Sequence, residues 1–180
     1  APYEVILHEG VHQLVHFYTR HFSKGGVIST TQWFQEGLGT YFEGFRRAED
    51  GRILIDPGVN RGRLHAVQSA LVGPDPVYTP LAALTGMTID GFWEWFREQR
   101  EVDEILATRK AQTFYGESWA LIYFLRNAGE KYRHAFEAYF RLELFGKGGK
   151  ESLEKVLHDH LQCGIEELEE EFISYLETLR

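Results

Sequence analysis

Cysteine is almost absent from this sequence: Cys163 is the only one among 180 residues. A single thiol excludes an intramolecular disulfide, and it also excludes a zinc site built from several cysteines. Long apolar runs are missing too, and none approaches the roughly 20 residues that a membrane-spanning helix needs. The sequence therefore predicts no membrane span and leaves histidine and carboxylate side chains as the ligands for any metal.

Basic residues are also in the minority, with 19 Lys and Arg against 27 Asp and Glu and a net charge of −8. Without a basic stripe to release counterions from phosphates, a nucleic-acid partner is not expected. The acidic residues near the C-terminus are interpreted as a solvated helix face. Hydrophobic residues make up 43% of the chain, so we expect residues 1–180 to form one domain, excised from a longer chain.

Apolar residues recur at three- and four-residue spacing along most of the chain, which predicts a mainly α fold. The predicted helices cover residues 3–22, 31–45, 59–71, 81–84, 89–96, 115–128, 131–145, 151–160 and 165–179. Thr88 is the predicted N-cap of the helix at 89–96. Asp50-Gly51 separates two short β-prone segments, so one small β-hairpin is expected there.

The first predicted helix contains His8-Glu9-Gly10-Val11-His12, an HExxH sequence. Residues four apart lie on the same face one turn apart, so both imidazoles can reach one Zn²⁺ ion. Glu9 points to a neighbouring face, where its carboxylate can take a proton from a water held by the metal. The competing interpretation is two ordinary surface histidines on a core helix.

A catalytic zinc site needs a third protein ligand. A third histidine ten residues after the first is excluded, because that position is Tyr18. Glu36 on the second predicted helix is the candidate, since it lies opposite an apolar stripe. Gly37 and Gly39 each cost a helix about 1 kcal/mol relative to Ala, which predicts that another helix approaches closely there.

Other polar residues have weaker assignments. Glu43 shares the face of Glu36 and is expected to accept a hydrogen bond from a ligand imidazole, as outer carboxylates often do. Thr40 is the alternative for that role. His16 continues the histidine row, either lining the cleft or as a surface residue, and His21, His65, His134, His158 and His160 are interpreted as surface or satisfied polar residues.

HExxH followed by Trp33-Phe34-Gln35-Glu36-Gly37 resembles the gluzincin metallopeptidases, the group of thermolysin and the aminopeptidase/leukotriene A4 hydrolase enzymes. Tyr115-Gly116-Glu117-Ser118-Trp119 is similar to a segment of the aminopeptidase branch that opens with a tyrosine. The resemblance implies that Tyr115 stabilises the developing oxyanion; the alternative is an ordinary tyrosine at a helix start. Overall the chain is most similar to an uncharacterised bacterial family of peptidase-MA-like domains.

This resemblance implies a zincin-like helical catalytic domain with peptidase activity, a peptide or protein substrate and zinc as cofactor. Gluzincins place a small β-sheet before the HExxH helix, whereas only seven residues precede His8 here. The expected fold therefore lacks most of that N-terminal sheet. The resemblance favours an extracytoplasmic bacterial location, and the residues themselves specify neither compartment nor oligomeric state.

Three functions follow from these observations. The first is a zinc-dependent metallopeptidase, with His8, His12 and Glu36 as metal ligands, Glu9 as general base and Tyr115 as oxyanion donor. The second is a catalytically silent, peptidase-like zinc-binding module that recognises a peptide or cell-wall partner. The third is a metal-free helical interaction domain in which the motif is accidental.

Overall fold

In a computed structural model, residues 2–24, 30–55, 58–73 and 77–179 are described, and this part of the chain is mainly helical. Its helices are α1 Pro2–Ser23, α2 Gln32–Tyr41, α3 Arg61–Val72, α4 Leu81–Leu84, α5 Ile89–Val102, α6 Glu104–Asn127, α7 Glu130–Leu144, α8 Lys150–Leu161 and α9 Ile165–Thr178. The short strands β1 (Phe45–Arg47) and β2 (Ile53–Ile55) pair antiparallel, with Arg46 opposite Leu54.

The prediction that the second helix continues to Phe45 is wrong, because α2 ends at Tyr41 and Phe45 begins β1. The backbone N–H of Phe42 is shared between the carbonyls of Leu38 and Gly39, and the N–H of Glu43 bonds to the carbonyl of Thr40. Such i to i−3 bonds tighten the last turn and end a helix.

The predicted helix start at Tyr115 is also wrong. Helix α6 begins at Glu104, where the Asp103 side chain accepts a hydrogen bond from the N–H of Leu106 at 2.9 Å. Tyr115 therefore lies in the middle of α6. Helix α5 likewise runs beyond its predicted end to Val102, whereas its predicted N-cap is confirmed, since the Thr88 hydroxyl accepts from the N–H of Gly91.

The core surrounds α2 and α6, the helices that make the most extensive contact. Trp33 and Phe34 of α2 are fully buried, as is Trp119 of α6. Trp33 stacks on Tyr139 of α7, with ring centroids 5.6 Å apart. A Cβ on Gly37 would collide with the carbonyl of Ser118 on α6, so the close approach predicted from the glycines is confirmed at this position.

A buried carboxylate anchors the start of α2. Glu143 on α7 accepts hydrogen bonds at one oxygen from the hydroxyls of Thr31 (2.8 Å) and Tyr139 (2.6 Å). Thr31 is the N-cap residue of α2, and Gly149 donates its backbone N–H to the Tyr139 hydroxyl. This network ties the first turn of α2 to α7.

In the described part of the chain, no helix combines the length and apolar character that crossing a membrane requires.

Gly37→Ala should lower the free energy of unfolding by about 1–3 kcal/mol, because the added methyl group overpacks the contact between α2 and α6. Gly10→Ala is the matched control, since nothing lies within 4 Å of a Cβ at that helical position. The control should be neutral or stabilising by up to about 1 kcal/mol. Urea unfolding of both variants measures the difference, and equal stability would contradict the packing described.

Glu143 should make stability depend on pH. Burial raises the pKa of Glu143 to about 7 from its ordinary 4.5, against the hydrogen bonds from Tyr139 and Thr31. Between these values the folded protein keeps a proton that the unfolded chain has released, so the free energy of unfolding falls as pH rises.

Glu143→Gln removes this titration, so its stability relative to wild type should rise by roughly 2–3 kcal/mol from pH 5 to pH 8. Glu137→Gln, at an exposed position of the same helix, is the matched control for exchanging a glutamate for a glutamine. Chemical unfolding across this pH range measures both, and parallel curves for Glu143→Gln and wild type would refute the assignment.

Candidate metal centre

Helix α1 brings the two motif histidines together. His8 and His12 are one turn apart, their Nε2 atoms are 2.9 Å apart, and their rings meet edge to face with centroids at 4.6 Å. Both side chains are partly buried. The pair of ring nitrogens therefore faces one point in space, as the spacing in the sequence predicts.

Helix α2 supplies a carboxylate to the same point. Glu36 Oε2 lies 3.2 Å from His8 Nε2 and 3.6 Å from His12 Nε2. The other oxygen, Oε1, accepts a hydrogen bond from the side-chain amide of Gln32 at 2.9 Å. Gln32 is buried and one turn before Glu36, so it fixes the orientation of the carboxylate. Sequence reasoning missed Gln32, although its i, i+4 spacing from Glu36 was the available signal.

Gly39 explains how an imidazole from α1 fits so closely against α2. A Cβ at this position would lie 2.9 Å from Cε1 of His8 and 3.0 Å from both ring nitrogens. The two glycines of α2 thus allow close packing of different neighbours. The backbone of α6 packs against Gly37, and the ring of His8 packs against Gly39.

A second carboxylate forms a hydrogen bond with the other ring nitrogen of His8. His8 Nδ1 donates to Glu43 Oε1 at 2.9 Å, which agrees with the role expected for Glu43. Glu43 lies just beyond the end of α2, in the turn before β1. Arg63 of α3 places Nη2 3.5 Å from the same carboxylate oxygen. Arg63 was not singled out from the sequence, because nothing local connects α3 to the motif.

The cluster attracts positive charge. Hydrogen bonds to Glu36 and Glu43 raise the pKa of His8 to about 9 from its ordinary 6.5. Burial acts to raise the pKa of Glu36, but hydrogen bonds with His12 and His8 outweigh it and bring that pKa to about 2. With no metal, a proton on His8 supplies the positive charge between the two carboxylates.

The donor atoms fit one zinc ion. One ligand atom from each of His8, His12 and Glu36 lies within 4.8 Å of the other two. Two ligand atoms that are each about 2.1 Å from a tetrahedral ion are separated by about 3.4 Å. The separations of 2.9, 3.2 and 3.6 Å in this cluster bracket that value. Two nitrogens and one carboxylate oxygen form a common donor set of catalytic zinc sites.

The two residues expected to act on substrate lie near the cluster. Glu9 is exposed on α1, next to His8. Tyr115 is half-buried, and burial followed by the negative charge of Glu36 raises its pKa to about 12, with a smaller contribution from Glu9. The guanidinium carbon of Arg63 lies 5.9 Å from the centroid of the Tyr115 ring and opposes that rise. Tyr115 therefore shares the electrostatic environment of the cluster.

The remaining candidates are not brought to the centre. Thr40 is buried, and within the described part of the chain its hydroxyl has no hydrogen-bond partner, so it forms no hydrogen bond with either imidazole. His16 is exposed on α1. Among the described residues, no further trio of His, Cys, Asp or Glu side chains has metal-binding geometry. The histidines outside the HExxH sequence therefore play no part in a metal cluster there.

Comparison with known proteins assigns neither a family nor a function to this arrangement. No protein-family model, no curated protein and no solved structure matches the chain.

Proposed function

We propose that this protein is a zinc-dependent metallopeptidase of the gluzincin type, with His8, His12 and Glu36 as ligands. The observation that carries the proposal is the convergence of these side chains from two helices, with Glu43 on the far side of the His8 ring. Two imidazoles, a carboxylate and a further carboxylate behind one imidazole are the groups found in catalytic zinc sites, and their convergence supports the proposal.

Zinc bound at these residues would supply a Lewis acid and lower the pKa of a coordinated water towards about 7. Glu9 is exposed on α1, and within the described part of the chain its carboxylate forms no hydrogen bond with Glu36, His8 or His12, so it can accept a proton from that water. Glu9 would accept a proton from the attacking water and return it to the leaving amine.

Tyr115 donates a hydrogen bond to the oxyanion that develops on the carbonyl. Its pKa of about 12 keeps the hydroxyl protonated at neutral pH, as a donor must be. Glu43 holds the Nδ1–H of His8, which leaves Nε2 to face the ligand cluster. Peptide hydrolysis through a metal-activated water is the chemistry that this set of groups supports.

A catalytically silent zinc-binding module is the second candidate. The observation in its favour is the exposed apolar surface of α1, where Val5, Ile6 and Phe17 are each more than 60% exposed. Hydrolysis does not need this surface, whereas recognition of a partner does. Retained zinc with no cleavage of a broad peptide library would favour this candidate over the peptidase.

The purified protein should contain close to one zinc per chain after reconstitution, measured by elemental mass spectrometry. Glu36→Ala should lose most of it, because only two ligands remain, and Glu43→Gln should weaken zinc affinity about 10–100-fold. His16→Ala is the matched control on α1 and should bind like wild type. An equal zinc content in Glu36→Ala and wild type would exclude the three-ligand site.

Glu9→Gln should keep its zinc and lower kcat by about 10²–10⁴, because the amide cannot take the proton from water. Tyr115→Phe should lower kcat by about 10²–10³ with little change in KM, because its donor acts on the transition state. Tyr123→Phe, two turns further along α6, is the control for losing a tyrosine hydroxyl. Steady-state kinetics on a peptide substrate measure all three, and full activity of pure Glu9→Gln would overturn the mechanism.

A further inference from the structure

An apolar groove of about 530 Å³ runs between α1 and α7, away from the metal ligands. Its walls include Tyr18 and Phe22 of α1 and Phe140 of α7, and Leu38 of α2 lies in its floor. We call this cavity the α1–α7 groove. Tyr18 is 44% exposed and Phe22 38% exposed, so large apolar side chains of the groove face solvent.

The apolar exposure is concentrated on α1. Among the described residues, α1 has seven exposed large hydrophobic side chains, whereas α5 has three and α3 and α6 have one each. The seven on α1 are Tyr3, Val5, Ile6, Leu14, Phe17, Tyr18 and Phe22. Of these seven, Leu14, Tyr18 and Phe22 are spaced four residues apart on one face of α1, and they also line the groove. Exposed apolar side chains grouped in this way are typical of an interaction site.

A single charged side chain lines the groove, and it is a cation. Arg126 lies between two aromatic rings, with its guanidinium carbon 5.1 Å from the centroid of Tyr41 and 5.4 Å from that of Phe136. Within the described ranges, no carboxylate forms an ion pair with it. Its side chain is half-buried, and a guanidinium can bind a carboxylate through two parallel hydrogen bonds.

The direction of the groove follows from contacts at its two ends. The ring of Phe22 lies 5.1 Å from that of Phe145, so the C-terminal ends of α1 and α7 meet at one end. Arg126 lies over Phe136, the first residue of α7 that lines the groove, and marks the other end. From Val11 to Phe22 the α1 wall is about 16 Å long, which is three helical turns.

We propose that the α1–α7 groove binds an amphipathic helix of a partner protein, about three turns long, with an apolar stripe and one carboxylate near one end. The space between two helices that run side by side admits a third helix through its apolar ridge. The carboxylate pairs with Arg126, and apolar side chains of the partner cover Tyr18 and Phe22.

Charge complementarity argues against a second copy of the chain as the occupant. A symmetric dimer brings the same patch of both copies together. The described lining of the groove offers no carboxylate, so groove-to-groove pairing leaves both Arg126 guanidinium groups without a counterion. A partner that carries a carboxylate provides the counterion for Arg126.

The probe is a fluorescein-labelled helical peptide of about 14 residues, with leucines at i, i+3, i+4 and i+7 and one glutamate in its first or last turn. For one of the two glutamate positions, replacing Glu by Gln should weaken binding about tenfold in fluorescence anisotropy. Arg126→Gln should bind both peptides equally weakly, and Arg126→Lys should retain part of the preference. Tyr18→Asp should abolish binding, whereas Val72→Asp, at an exposed position of α3, should not change it.

Failure of all the peptides to bind, or equal affinity for the Glu and Gln peptides at both positions, would overturn the proposal. A concentration-dependent dimer in sedimentation equilibrium that Tyr18→Asp abolishes would also overturn it and identify a second copy as the occupant. Thermal unfolding of each variant verifies that it is folded. Since binding in the groove requires no metal, Glu36→Ala should bind the peptides normally, which separates this test from that of the peptidase.

Discussion

Helix α2 lies between α1 and α6, and each of these contacts depends on a missing Cβ. Gly37 lets the backbone of α6 approach, and Gly39 lets the imidazole of His8 lie against the helix axis. Two glycines within one ten-residue helix weaken it as an isolated element. Tertiary packing compensates, because α2 buries Trp33 and Phe34 completely. The positions of Glu36 and Glu43 relative to the histidines follow from this one sandwich of helices.

Electrostatic interactions make the same region selective for a cation. His8 lies between two carboxylates, one on each side of its ring, and one of them also faces His12. Such an arrangement is unfavourable without positive charge, which a proton supplies in the absence of metal and a divalent ion would supply better. The buried Thr31–Glu143–Tyr139 network stabilises the same helix at its N-terminus, so Glu36 is held about one turn from a fixed helix start.

The sequence predicted helices best where apolar residues repeat regularly. The bounds of α1, α4, α8 and α9 were predicted to within about one or two residues, because an amphipathic pattern and its breaks are local features. The first half of α6 was missed, because residues 104–114 carry many polar side chains that obscure the period. The end of α2 was misplaced because its last turn is closed by backbone hydrogen bonds that the apolar stripe does not reveal.

The residues of the candidate site also fall into two groups: those that local spacing identifies and those that only tertiary contacts bring together. Sequence spacing alone determined that His8 and His12 share one face of a helix. Helix geometry fixes the relative position of two residues that are four apart, whatever the rest of the chain does. The sequence also indicated Glu36 and Glu43 as the carboxylates of the candidate site, but it did not determine their distances to the histidines. Only the tertiary structure selected which Glu43 oxygen meets His8 and added Gln32 to the cluster.

Tertiary structure alone also placed Arg63 beside Glu43, Arg126 in an apolar groove, and Tyr115 in the middle of a long helix. Arg63 belongs to α3, whereas Tyr115 and Arg126 belong to α6, and no periodic pattern relates these residues to the groups that surround them. Local backbone geometry repeats and can be read from one segment, whereas contacts between segments depend on how all the helices pack at once.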